Sequence, residues 1–169
     1  MDIYSKARKV LQDLNFDFST FTLEGFLQAA GRLKDRKIEV VPCNLPPDVL
    51  GIWLTDEAEP VEYISYQKGL PEIQQIHVQL HEVSHFLMGH KTHRINRQAM
   101  IEAAGQGDVS FLDEITQLRS SQTTTWEMEA ETLSSMIQKH VIRHSRLGLL
   151  TYHNAPAGEL ANFLREMGK

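Results

Sequence analysis

The sequence contains a single cysteine, Cys43, among its 169 residues. A lone cysteine excludes a disulfide within the chain and argues against a zinc site built from thiolates. The chain also has no apolar run near the roughly 20 residues that a membrane helix needs, and its first residues, MDIYSKARKVLQDL, lack the apolar centre of a signal peptide. We therefore expect a cytoplasmic protein that does not use a membrane.

A surplus of positive charge is also missing. The chain has 17 Lys and Arg against 22 Asp and Glu, for a formal net charge of −5. Proteins that bind nucleic acid directly normally present a basic stripe that neutralises phosphates, so we expect no direct nucleic-acid binding. The 41% of hydrophobic residues suffices for one sizeable core, which predicts a single domain over residues 1–169.

The hydrophobic pattern changes period along the chain. Its first part predicts amphipathic helices over residues 3–14 and 23–34, the second with Thr22 as N-cap. Three short apolar runs follow among prolines and predict strands, at residues 38–41, 49–54 and 61–66. A short acidic turn joins the last two runs, which predicts an antiparallel hairpin within a three-stranded antiparallel sheet. The class is therefore α+β.

An H-E-x-x-H motif occupies residues 81–85. Pro71 suits the first turn of a helix and Gly89 suits its end, so the motif lies within a predicted helix. Two histidines four residues apart share one helix face, about 6 Å apart along the axis, and both can reach one metal ion. The alternative is that three histidines on this helix face, His77, His81 and His85, only form hydrogen bonds with their neighbours.

Glu82 completes the motif. It follows the first histidine directly, where a carboxylate can take a proton from a zinc-bound water without occupying the coordination sphere. The sequence therefore predicts Glu82 as the general base of a zinc hydrolase.

A hydrolytic zinc site needs a third protein ligand and an open position for water. A metzincin would place a histidine ten positions after His81, where this chain has Lys91, and His90 is one residue out of register. A one-residue slip turns a helical side chain by about 100°. The better candidate is Glu127, in a strongly helical segment predicted for residues 125–146, because zinc hydrolases often use two histidines and one glutamate.

Other interpretations of this segment stay open. Thr124 and Glu127 have the S/T-x-x-E spacing of a capping box, and Glu129 or Glu131 are alternative ligands. Glu131 shares a face with Glu127 and is predicted to hydrogen-bond a ligating imidazole. Glu129 points about 160° away from Glu127, so we expect it to be solvated.

The region between the two metal-bearing helices, residues 91–122, is predicted to be a helical insertion that gates access to the site. Its helices are expected over residues 94–104 and 110–118. A last amphipathic helix is predicted over residues 156–168.

Two stretches of the chain resemble the ImmA/IrrE family of metallopeptidases, within about residues 20–140: GIWL…EYISYQKGLPEIQQIHVQLHEVSHFLMGH and WEMEAETLSSMI. The resemblance implies a mainly helical, zincin-like fold in which a small sheet precedes and packs on the H-E-x-x-H helix. In that family a later E-x-x-A-N/D helix supplies the third ligand, and its positions correspond to Glu127, Ala130 and Glu131. The chain then departs from the family's F-A-x-x-L-L-M-P continuation, because residues 133–137 read LSSMI and no proline follows.

The resemblance implies a regulatory Zn²⁺ endopeptidase. Members occur in phages, mobile elements and bacterial stress systems, cleave or are thought to cleave helix-turn-helix repressors, and in some cases pair with them as toxin and antitoxin. The implied ligands are His81, His85 and Glu127, with Glu82 as catalytic base and a helix-turn-helix regulator as protein partner. A non-proteolytic module that sequesters such a regulator is the first alternative, favoured by the altered segment after Glu131. A metal hydrolase acting on a small molecule is the second.

Overall fold

Five α-helices and four strands make up the part of the chain that the computed structural model describes, namely residues 2–47, 49–105 and 124–151. The helices are α1 (Ile3–Leu14), α2 (Leu23–Leu33), α3 (Glu72–Met88), α4 (Arg97–Gly105) and α5 (Thr124–Thr151). The strands are β1 (Lys37–Cys43), β2 (Gly51–Asp56), β3 (Val61–Gln67) and β4 (His93–Ile95). A 3₁₀ turn, Phe18–Thr20, lies between α1 and α2. The α+β class is confirmed, whereas the helices predicted over residues 110–118 and 156–168 lie outside the described residues.

Local capping fixes the helix ends close to the predicted positions. The Asp2 side chain accepts a hydrogen bond from the Ser5 amide at 3.0 Å, which starts α1. The Thr22 hydroxyl accepts one from the Gly25 amide at 3.1 Å, as predicted for the start of α2. Each cap satisfies an amide that has no partner within its own helix. Gly89 ends α3 in the left-handed conformation at φ 75°.

The sheet differs from the three-stranded antiparallel sheet that we expected. It has four strands in the order β1-β3-β2-β4. The predicted hairpin is confirmed, since β2 and β3 pair antiparallel. However, β1 pairs with β3 in parallel, and β4 pairs in parallel with the end of β2. The sheet is therefore mixed.

The difference has a physical reason. Hydrophobic periodicity identifies strands but does not identify their neighbours, and the connection between β1 and β2 carries the chain past β3 so that β1 and β2 lie on opposite sides of it. The fourth strand has only three residues, too few for a period-two pattern, and it occupies part of the helix predicted over residues 94–104. The observed α4 begins after it, at Arg97.

The sheet has hydrophobic residues on both faces. On one face Trp53 and Ile64 join the main core, whose other members come from helices α1, α2, α3 and α5. On the other face a smaller cluster contains Ile52, Leu54 and Tyr63 together with Ile95 of β4. Helix α3 packs between the sheet and α5, so the H-E-x-x-H motif lies between these two elements. Among the described residues no helix is both long and apolar enough to cross a membrane.

Candidate metal centre

The two histidines of the H-E-x-x-H motif converge on one point at the face of α3 that meets α5. Their Nε2 atoms lie 3.1 Å apart. The side chain of His85 is 3% exposed and that of His81 is 16% exposed, so His85 is the more deeply buried of the two. The helical spacing of four residues therefore brings the two imidazoles together as predicted.

Glu127, in the first turn of α5, completes the group. Its Oε2 lies 3.3 Å from Nε2 of His81, and its Oε1 lies 3.5 Å from Nε2 of His85. The Glu127 side chain is 41% exposed, which leaves that side of the group open to solvent. The carboxylate that the sequence proposed as third ligand is therefore brought to the two histidines, although α5 is about 40 residues further along the chain.

The spacing of these three side chains fits zinc. With metal–ligand distances near 2.1 Å, neighbouring ligands of a tetrahedral ion lie about 3.4 Å apart. The closest ligand-atom separations here are 3.1, 3.3 and 3.5 Å. With a single atom taken from each residue, all three atoms lie within 4.8 Å of one another, so a small rotation of the carboxylate would suit one ion. Two neutral imidazoles and one carboxylate are also a usual donor set for hydrolytic zinc.

Glu82, the predicted general base, lies on the sheet side of α3 and is 5% exposed. Its neighbour there is Gly51, the first residue of β2. A Cβ atom on Gly51 would overlap the Val78 side chain and would lie 3.1 Å from Glu82 Oε1. The absence of a side chain at Gly51 therefore lets the strand backbone approach the Glu82 carboxylate closely.

Glu131 lies one turn after Glu127 on α5. Its Oε2 is 3.4 Å from Nδ1 of His81, and its side chain is 55% exposed. This is the position predicted for a partner that orients a ligating imidazole, at a distance slightly beyond that of an ordinary hydrogen bond. Ala130, beside these carboxylates, is fully buried.

The expectation that Glu129 is solvated is wrong. Glu129 is buried, and its Oε2 accepts hydrogen bonds from Lys6 Nζ at 2.6 Å and from His90 Nε2 at 2.8 Å. The helical wheel correctly placed it on a different face from Glu127, but that face is covered by α1 and by the end of α3. A pattern on one helix does not reveal which of its faces other helices cover.

His90 connects this buried carboxylate to the candidate metal ligands. Its Nδ1 lies 2.9 Å from Nδ1 of His85, on the opposite side of the His85 ring from the Nε2 that faces Glu127. Sequence reasoning weighed His90 only as a metal ligand. The sequence signal for its position is Gly89, because a glycine directly after a helix folds the next residue back over the last turn.

Burial and hydrogen bonding act in opposite directions on the two buried groups. Burial lowers the pKa of His90 below its ordinary value, although the neighbouring Glu129 carboxylate opposes the shift. Burial alone would raise the pKa of Glu129, but hydrogen bonds from Lys6 and His90 outweigh it and hold that pKa below its usual value. A neutral His90 beside an ionised Glu129 is therefore the favoured state near neutral pH.

The chain was compared with protein-family models, with curated proteins and with solved structures, and none of the three comparisons finds a match.

Proposed function

We propose that the protein is a zinc-dependent endopeptidase in which His81, His85 and Glu127 bind the metal. The observation that carries the proposal is the convergence of the three side chains, whose closest ligand-atom separations are 3.1 to 3.5 Å, with one side open to solvent. A structural zinc site would usually close the fourth position with a cysteine or histidine, whereas a hydrolytic site keeps it open.

The chemistry divides between the metal and Glu82. Bound zinc supplies Lewis-acid chemistry, which makes a water molecule acidic near neutral pH and stabilises negative charge on the carbonyl oxygen of a peptide. Glu82 accepts the proton of the attacking water and then delivers it to the amine that leaves when the C–N bond breaks. Its buried position strengthens its interactions with reacting groups, because the surrounding protein screens charge less than water does.

A peptide substrate is favoured by the sheet beside the site. Among the described residues, β4 pairs only with Leu54, Thr55 and Asp56 of β2. Gly51 and Ile52 therefore extend beyond the end of β4, at the point where β2 lies against Glu82. An extended segment of a protein can add to such a strand edge through main-chain hydrogen bonds. From the resemblance to the ImmA/IrrE family, we propose a helix-turn-helix regulator as substrate and the cytoplasm as the place of action.

The experiment compares four purified proteins: the wild type, Glu82→Gln, Glu127→Ala and the control Glu72→Gln. Glu72 lies on the same helix as Glu82 but is exposed in the first turn. Zinc content is measured by elemental analysis, and cleavage is scored on any helix-turn-helix protein that a neighbouring gene encodes. We expect about one zinc in the wild type, in Glu82→Gln and in the control. Only the wild type and the control should cleave, and Glu127→Ala should lose metal.

Other outcomes identify the alternatives. A wild type that holds no zinc after metal loading contradicts the hydrolase. A wild type that holds zinc and binds the regulator without cutting it indicates the sequestering module. The altered segment after Glu131 gives that module its support, although the structure places Leu133, Ser134 and Ile137 of the segment in the interior.

A further inference from the structure

A continuous chain of hydrogen bonds runs from the candidate ligand His85 to the first helix. Nδ1 of His85 lies 2.9 Å from Nδ1 of His90, and Nε2 of His90 lies 2.8 Å from Oε2 of Glu129. The same oxygen accepts a hydrogen bond from Lys6 Nζ at 2.6 Å. Three helices, α3, α5 and α1, and the turn after α3 are therefore connected behind the metal-binding face.

The groups at the two ends of this series of hydrogen bonds determine the direction of each bond. Lys6 can only donate, and the Glu129 carboxylate can only accept, so His90 must donate through its Nε2. The proposed zinc site fixes the other end, because Nε2 of His85 can bind a metal only when the proton of that ring is on Nδ1, which makes Nδ1 of His90 the acceptor. His85 therefore carries its proton on Nδ1, and its Nε2, the atom facing Glu127 and His81, is left with the lone pair that a metal ligand needs.

The His90 ring is held rigidly for this task. Gly89 adopts the left-handed conformation, and the His90 amide donates to the His85 carbonyl at 3.1 Å, so the backbone turns His90 back onto His85. The ring also stacks on Trp126 of α5, with centroids 5.2 Å apart and planes within 7° of parallel. Both His90 and Glu129 are buried, so water competes little for their hydrogen bonds.

We propose that His90, held by Glu129 and Lys6, is a positioning residue that fixes the tautomer and ring orientation of His85 for metal binding. The inference rests on the proposed zinc site. Metal-binding histidines generally donate their second N–H to a carboxylate or carbonyl, and removal of that partner lowers metal affinity about 10- to 100-fold. Here His90 lies between the ligand His85 and the Glu129 carboxylate.

A purely structural role for the same residues makes a different prediction. If the contacts among Lys6, Glu129 and His90 only hold α1 and α5 together, their loss lowers the stability of the metal-free protein but leaves the zinc affinity of the folded protein unchanged. Zinc affinity measured on folded protein therefore separates the two roles.

The test uses two substitutions at His90 and one control. His90→Phe keeps a flat ring for Trp126 but removes both nitrogens. His90→Gln restores one acceptor and one donor on a planar group. The control is His77→Gln, which removes an exposed histidine of α3 whose side chain contacts Gln138. Zinc dissociation constants are measured by competition with a chromogenic chelator, and the metal-free proteins are compared by urea unfolding.

We expect His90→Phe to bind zinc about 10- to 100-fold more weakly than the wild type, His90→Gln to recover much of the affinity, and His77→Gln to match the wild type. Equal affinities for the wild type and a folded His90→Phe protein overturn the inference while leaving the zinc site intact. A wild type that binds no zinc overturns the proposed function itself. If His90→Phe does not fold, Glu129→Gln tests the same chain of hydrogen bonds, and unchanged zinc affinity in that variant overturns the inference.

Discussion

Gly51 is the residue whose smallness matters most to the geometry beside the candidate site. It lies where β2 passes closest to α3, with Val78 and Glu82 facing it. Its role is steric, since an added Cβ would overlap the Val78 side chain. The close approach of strand and helix, and with it the position of the Glu82 carboxylate, depends on that single missing side chain.

We therefore predict that Gly51→Ala destabilises the protein by about 1–3 kcal/mol, the usual cost of overpacking a core. Activity on a cleaved substrate should fall further than stability alone explains, because the strand must move away from Glu82. Urea unfolding measures the first effect, and kcat/KM of the folded variant measures the second.

The control is a double-mutant cycle with Val78→Ala, which removes the atoms that the new methyl group would meet. If Gly51→Ala acts through that overlap, the double variant should be about 1 kcal/mol more stable than the sum of the two single effects. Strict additivity would show that the methyl group does not press on Val78.

At the scale of elements, the 3₁₀ turn between α1 and α2 packs its Phe18 ring on α5. The partner is His140, with ring centroids 4.9 Å apart and an angle of 21° between the planes. Burial lowers the pKa of His140, and the neighbouring His144 and Arg143 lower it further. His144 in turn interacts with Asp17, at the start of the turn. The surroundings of His140 therefore favour its neutral imidazole.

A pH dependence of stability follows. Because the pKa of His140 is lower in the folded state than its unfolded value of about 6.5, the unfolded chain binds more protons as the pH falls through this range. The contribution of His140 is fully present above about pH 6.5 and is lost as the pH falls through its folded pKa. We predict that His140→Gln shows a smaller loss of unfolding free energy than the wild type between about pH 7.5 and pH 5.5.

Urea unfolding of both proteins in the presence of a chelator isolates this effect from metal binding. Equal pH slopes for the two proteins would contradict the prediction.

The elements also show what the sequence could predict. Helices α1, α2 and α3 were predictable almost to the residue because their ends carry local signals, such as Thr22 before α2 and Gly89 after α3. The hairpin was predictable because its turn is short. The parallel pairing of β1 with β3 was not, because strand order depends on packing between distant segments.

The residues of the candidate site also fall into those that the sequence predicts and those that it does not. The H-E-x-x-H motif identifies His81, Glu82 and His85, and Glu127, which was chosen because hydrolytic zinc usually takes two histidines and one glutamate, lies close to both histidines. The roles of His90 and Glu129 could not be predicted, because they depend on how α1, α3 and α5 pack together. A buried carboxylate and a solvated one look alike in the sequence of a single helix.

At the scale of the whole molecule, the candidate ligands join two helices that are distant in sequence. His81 and His85 come from α3, and Glu127 comes from α5. A ligand that binds only the folded state stabilises it, by about 4 kcal/mol when its concentration is 1,000 times the dissociation constant. Zinc should therefore stabilise the packing of α3 on α5 and with it the main core.

We predict that removal of zinc with a chelator lowers the melting temperature of the wild type by roughly 10 °C from its value at saturating zinc. Glu127→Ala should show little dependence on zinc, and His77→Gln should respond like the wild type. Differential scanning calorimetry with and without zinc measures the shifts. An identical response of Glu127→Ala and the wild type would contradict the ligand set.

The uneven burial of the three candidate ligands sets a route for metal exchange. The exposed fractions of the side chains rise from 3% at His85 through 16% at His81 to 41% at Glu127. An ion held by this set would be reached first from the Glu127 side, so an incoming chelator would displace the Glu127 carboxylate before the imidazole of His85. The rate of metal loss should therefore depend on chelator size, with small chelators extracting the ion faster than bulky ones of equal affinity.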